Sequence, residues 1–223
     1  MHQCEISAYA LDRAKGRLNP VPPPLQPSKV AHIIIDLQNA FVAPGAPVEV
    51  PVCRDIIPNV NKISNAVRTT GGVNVFVRFT VDDAEPKYWA SMHRRTNPQS
   101  LDAMRSMFAP GNVTHDLWPD LDVDVRDIIT NKTRFSALTP GTCDLQAILQ
   151  ERSIETVIIT GTMTNCCCEA TARDAMQLGY SVLLIQDGCA AHDDAMHNNT
   201  LSNLVAFGYA DVCTTDDALK RLG

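Results

Sequence analysis

Three short segments of this 223-residue chain carry side chains able to make and break covalent bonds. Asp36 closes the apolar run of I-I-I-D-L-Q-N-A-F, Lys132 begins K-T-R-F-S-A-L, and Cys166, Cys167 and Cys168 stand together in G-T-M-T-N-C-C-C-E-A-T-A-R-D-A. A cysteine at a helix N-terminus feels the positive end of the backbone dipole, and a nearby lysine cation adds to that field. Both lower a thiol pKa from about 8.5 and favour the nucleophilic thiolate. A carboxylate within reach can take the thiol proton and later deliver it to a leaving amine. Free N–H groups in the first helical turn can bind a developing oxyanion. Together these are the parts needed for acyl transfer. Taken singly, each residue has a plainer reading: Asp36 as a turn cap, Lys132 as a solvated loop lysine, the cysteines as small core residues. The case rests on their meeting at one place.

The elements that would bring them together are legible in the hydrophobic pattern. Short apolar runs at residues 30–36, 73–78, 126–131, 155–160, 181–186 and 210–213 read as strands. Helical periodicity occupies residues 57–70, with Pro58 in the first turn, and residues 143–152, 193–207 and 216–222. A further helix follows Gly161 and stops at Gly179. Near-continuous apolar strands, each followed by a helix, predict a three-layer α/β/α fold with a mostly parallel six-stranded sheet. In such sheets ligands bind beyond the carboxyl ends of the strands. Those ends carry Asp36, Lys132 and the cysteines, and the parallel arrangement predicts that they lie side by side. Residues 79–124 form a long mixed connection with one short helix expected, of the kind that serves as a lid. Residues 1–29 read as a separate proline-rich arm, with an amphipathic helix over 6–17, ahead of one domain at 30–223. Two readings stand for the arm, a segment lying on a neighbouring surface and a loose tail.

Composition narrows the function. The net charge is −6, which argues against a nucleic-acid partner. Apolar residues make up 45% and charged residues 20%, an ordinary globular balance. No apolar run is long enough to span a membrane, and the N-terminus lacks a secretory pattern, so neither membrane nor export is expected. The 8 cysteines are too sparse for a disulfide scaffold and include no Cys-x-x-Cys pair, which fits a reducing, cytoplasmic setting. Neither a Gly-x-Ser-x-Gly elbow, a dinucleotide fingerprint nor a P-loop is present.

The three segments together resemble the isochorismatase-like cysteine hydrolases, a superfamily that includes nicotinamidases, N-carbamoylsarcosine amidases and ureidoacrylate hydrolases. The likeness covers residues 30–222. It implies a catalytic triad of Asp36, Lys132 and Cys167. The family pattern Gly-x-x-Thr-x-x-Cys, laid on Gly161 and Thr164, falls on Cys167. Helical spacing puts Cys168 on a face with Thr171 and Ala175, which reads as core, and Cys166 on one with Glu169 and Arg173, which reads as exposed. The resemblance also implies a cis peptide between Thr162 and Met163, with the N–H groups of Met163 and Cys167 forming the oxyanion hole.

The implied activity is hydrolysis of a small amide, ureido or carbamoyl compound through a thioester, without cofactor. An Asp-x-His metal motif, as nicotinamidases carry, does not occur between Asp36 and Arg78, so no metal is expected. Two alternatives stand beside this: a vinyl ether hydrolase that does not use the cysteine, and a thiol-sensing or binding protein on the same fold. The expected partners are a small-molecule substrate and further copies of the chain, as a dimer or tetramer. Candidate substrate-binding residues are Gln38, which could orient triad or substrate, Phe41, Arg78, Trp89 and Phe135; plain core packing for the two phenylalanines and a surface ion pair for Arg78 read equally well, and Trp89 with residues 93–95 reads as part of a lid or as a solvated basic run. His32, His93, His115, His192 and His197 are scattered and read as solvated or capping residues.

Overall fold

The computed structural model of the chain describes residues 1–16, 19, 24–81 and 89–223. Ser7 caps the first helix, α1 (Ala8–Lys15), by accepting the Ala10 N–H. The order then runs β1 (Val30–Ile35), α2 (Asn39–Val42), α3 (Cys53–Thr69) and β2 (Val73–Phe79). It continues α4 (Ala90–Arg95), α5 (Pro98–Met107), β3 (Ile128–Lys132), α6 (Leu145–Glu151) and β4 (Thr156–Thr162). A π-type turn at Thr164–Cys168 leads into α7 (Glu169–Gln177), and β5 (Ser181–Ala190), α8 (Asp194–Phe207), β6 (Asp211–Cys213) and α9 (Thr215–Leu222) complete the chain.

The six strands form one sheet in the order β3-β2-β1-β4-β5-β6, with every pairing parallel. From the central pair β1 and β4 the chain winds outward in opposite directions, so the switch point lies between their carboxyl ends. Every residue of β1 and of β4 is buried, as a sheet covered on both faces requires. Alternate side chains serve alternate layers. Ala31, Ile33 and Ile35 face the core built with α6, α7 and α8. Val30 and Ile34 face the opposite side, where α3 and α9 pack.

The edge strand that carries Lys132 is anchored by a buried ion pair. Arg68 on α3 binds Asp127, just before β3, with side-chain exposures of 8% and 1%. Asn74 of β2 donates to the same carboxylate at 2.9 Å. The pair therefore clamps helix, strand and edge together.

Several expectations change. Helix α3 begins four residues before the predicted start, so Pro58 lies inside it. Pro58 is exposed, so the missing hydrogen bond and ring crowding fall on the solvent face, where a helix can bend. The connection between β2 and β3 holds two helices where one was expected, and Asn97 caps the second by accepting the Ser100 N–H at 2.9 Å, with Pro98 at the first position. The N-terminal segment is no loose tail over its first sixteen residues: it runs along α8 of its own chain. Glu5 and Ser7 amides donate to Asn198 and Ser202, and Asn198 donates back to the Gln3 carbonyl. Pro20, Pro22 and Pro23, like Arg17 at the end of the predicted helix, lie outside the described residues.

Candidate active site

The backbone brings Asp36 and the cysteine turn together at the switch point. Ile35 pairs with Gly161 across β1 and β4. A Cβ on Gly161, at φ +118°, would lie 2.1 Å from the Ile35 carbonyl oxygen. Only glycine lets the two strands approach this closely at their carboxyl ends. Asp36 follows at once with φ +54°, a left-handed conformation that aspartate tolerates better than most residues.

Lys132 arrives by a longer route than the sequence suggests. Its strand is not beside β1; β2 lies between them, and Lys132 pairs with Phe79 at the end of β2. The long lysine stem passes this strand end, with Nζ 4.9 Å from the centre of the Phe79 ring, and reaches Asp36 Oδ2 at 2.8 Å. Both side chains have 0% exposure. Nζ also donates to the Arg134 carbonyl at 3.0 Å, which holds the loop after β3 in place. Besides the lysine, the Cys167 side chain and the Phe79 backbone interact with the Asp36 carboxylate and favour its charged form.

Cys167 sits in the first turn of the helical run that begins at Thr164, close enough to Asp36 and Lys132 to shift their titration. The turn is a wide one, with the Cys168 amide donating back to the Met163 carbonyl at 3.2 Å. The Thr162–Met163 peptide is cis. Thr171, one turn on, accepts the Ala137 amide and donates to the Cys167 carbonyl at 2.7 Å, tying the loop after β3 to the cysteine helix. Behind the turn, Thr164 Oγ1 lies 2.9 Å from His197 Nδ1, and the His197 ring stacks on His2 at 4.3 Å. The N-terminal segment thus braces the turn from the rear.

The electrostatics differ from the simple expectation of an acidified thiol. Burial raises the Asp36 pKa, and the Lys132 charge works against that without cancelling it. Burial alone would lower the Lys132 pKa, but the charges of Asp36 and Cys167 outweigh it and the net shift is upward. The Cys166 and Cys167 thiols hydrogen-bond each other. That bond holds Cys166 below the ordinary value and Cys167 well above it, and burial adds to the rise at Cys167. Lys132 does pull the Cys167 pKa down, but its charge is largely met by Asp36. Cys167 is thus the less acidic of the two thiols, and a nucleophilic role for it would call for a base beside it. A buried carboxylate of raised pKa is suited to that task.

Above the thiols lies a cavity of about 150 Å³. Phe41, Phe79, Phe108 and Phe135 wall it, with Met104 and Met163, and both Cys166 and Cys167 open into it. The rings meet edge to face or tilted: Phe79 on Phe108 at 5.0 Å, and Phe41 on Phe108 at 5.3 Å. Phe135 is 40% exposed and stands at the rim.

Of the candidate binding residues, Phe41 and Phe135 reach this cavity and the other three do not. Gln38 is fully buried and serves as a bolt: it accepts the Phe79 amide at 2.7 Å and donates to the Phe79 and His115 carbonyls. Arg78 points away from Phe79, as strand alternation demands, and donates to Asn131. Trp89 lines a smaller neighbouring cavity and meets Phe135 edge-on at 5.1 Å. Phe79, Met104 and Phe108 carry no sequence signal of a cavity, although Asn97-Pro98 announces the helix that delivers the last two.

The histidines also change meaning. His32, His115 and His197 are buried at 0%, 1% and 0% exposure, each hydrogen-bonded to a threonine hydroxyl. Among the described residues no group of three or more His, Cys, Asp or Glu side chains is arranged to hold a metal ion.

Comparison with known proteins agrees with the fold. The chain is 27% identical over 218 residues to the ureidoacrylate amidohydrolase RutB of Caulobacter vibrioides, covering 92% of this chain and 96% of that one. It is 30% identical over 176 residues to the RutB of Klebsiella pneumoniae, covering 72% and 73%. A cysteine hydrolase from Pseudomonas syringae superposes with a TM-score of 0.81 at 24% identity, covering 92% of this chain and 98% of that one, and so shares the fold. The isochorismatase domain model matches residues 30–217, which contain the sheet, Asp36, Lys132 and the cysteine turn, and the chain belongs to the isochorismatase family.

Proposed function

We propose that the chain is a metal-independent cysteine amidohydrolase that cleaves the C–N bond of a small amide, ureido or carbamoyl compound. The observation that carries this reading is the fully buried Asp36–Lys132 pair at 2.8 Å beneath a thiol that opens into a cavity. Asp36 takes the proton from Cys167 Sγ, and the sulfur attacks the carbonyl carbon. Charge moves onto the carbonyl oxygen, held by the N–H groups of Met163 and Cys167, while Lys132 balances the site. The C–N bond then breaks and the amine leaves with the proton held by Asp36. Water attacks the resulting thioester, giving one proton to Asp36; the C–S bond breaks, and Asp36 returns the proton to Cys167. Acid and amine are released and the enzyme is unchanged.

Relatives named as amidohydrolases support the C–N assignment. The test is ammonia release from a panel of amides, ureides and carbamoyl compounds by the wild type, Cys167→Ala and Asp36→Asn. Both variants are expected to lose at least about 10³-fold in kcat/KM, and Cys167→Ala, which leaves the buried Asp36–Lys132 pair intact, is expected to fold as the wild type does. Cys166→Ser is expected to keep most of the activity. Pyruvate release from isochorismate that survives Cys167→Ala would instead mark a vinyl ether hydrolase.

A further inference from the structure

The wall above Cys167 has a chemistry that amide hydrolysis by itself does not demand. Among the described residues every lining side chain is hydrocarbon, thioether or thiol, around a volume of about 150 Å³. A volume of roughly this size accepts a single benzene-sized ring. A carboxylate carried into such a wall would lose its hydration and gain no partner, which is heavily unfavourable.

The described cations do not supply that partner. Lys132 lies beneath the thiol, bound to Asp36 and to the Arg134 carbonyl. Arg105 and Arg134 line the neighbouring cavity of about 30 Å³. Phe79 and Met104 line both cavities and so stand between these arginines and the thiol. Arg105 binds Asp102, and the Arg134 guanidinium lies over the Trp89 ring at 4.9 Å.

We infer that the substrate is an uncharged amide whose acyl group is a compact apolar ring or a branched alkyl of similar size, and that acyl groups bearing a carboxylate are excluded. The inference rests on the amidohydrolase reading. It separates this chain from the ureidoacrylate amidohydrolases it resembles, whose named substrate is an acid.

The test uses matched amides that differ in charge and little in shape: 3-methylbutanamide against malonamate, and 4-methylpentanamide against succinamate, with benzamide and ureidoacrylate alongside. The wild type is expected to favour each neutral member by at least about tenfold in kcat/KM. Binding of the same compounds to Cys167→Ala, followed by calorimetry, is expected to show the same preference without turnover. Met104→Lys, which puts a cation at the edge of the wall, is expected to move the ratio toward the acids. Acids bound or cleaved as well as their neutral partners would overturn the inference while leaving the hydrolase reading intact. So would failure of every neutral member both to bind and to react. A neutral preference in binding, with turnover that survives Cys167→Ala, would instead overturn the hydrolase reading.

Discussion

Gly161 decides whether Asp36 can stand where it does. The strand pair is closest at this glycine, and the atom it would meet belongs to the residue just before Asp36. Adding one methyl group must therefore push β1 and β4 apart at the site itself, because backbone cannot turn aside as a side chain can. Gly161→Ala is expected to lower the melting temperature and to cut activity at least about 100-fold, since a misplacement near 1 Å costs that much. Circular dichroism melts and ammonia release would check both. The positive φ at Gly161 adds backbone strain to the clash. Cys167 presents a different residue-scale lesson: Cys166 and burial both push its thiol pKa up, so under the proposed mechanism Asp36 has to act as its base.

The informative element is the edge strand β3. It delivers Lys132, yet it has only one neighbouring strand, so something else must hold its start. That is the Arg68–Asp127 pair, joined by Asn74 and by Arg68 to Asp122. Removing Asp127 leaves the buried Arg68 with the half-exposed Asp122 as its remaining carboxylate and removes hydrogen bonds to a charged group, at a cost of about 1.5–3 kcal/mol. Asp127→Ala is expected to lose stability on that scale, read by urea unfolding. Replacing Asp122, whose side chain is 53% exposed, is expected to cost under about 1 kcal/mol. The contrast separates a clamp from surface charge. Helix α5 works the same way at the other wall of the site, where its last turn supplies Met104 and the residue after it is Phe108.

At the scale of the whole molecule, three histidines are buried: His32, His115 and His197. His32 is wedged between β1 and α3, with Nδ1 3.2 Å from Ser64 Oγ and Nε2 2.8 Å from Thr160 Oγ1. Burial pushes its pKa down to about 3, and burial also pushes His197 down to about 4. The unfolded chain binds these protons near pH 6.5, before the folded chain does. Stability is therefore complete above about pH 6.5 and is lost as pH falls from there toward the folded values. Each histidine contributes up to about 1.4 kcal/mol per pH unit within that window. Melting temperature measured from pH 7 to pH 4.5 is expected to fall, and His32→Gln, if folded, to flatten the slope by one proton. An unchanged slope in that variant would place the acid sensitivity elsewhere.

The sequence by itself determined the alternating strands and helices, the parallel sheet and the segments that end at Asp36, Lys132 and the cysteines. Those follow from local periodicity and from the rule that covered parallel strands are apolar throughout. It also carried the two phenylalanines that reach the cavity, each a few residues past a strand end. Only the tertiary structure decided that β2 separates Lys132 from Asp36, because strand order is set by how the crossovers pack and leaves no trace in the strands themselves. The same holds for the roles of Gln38 and Arg78: one bolts a backbone and the other faces Asn131, and a residue's partner lies far away along the chain. The buried histidines and the N-terminal brace were hidden for that reason too. Burial is a property of what lies opposite, and composition cannot see across a layer.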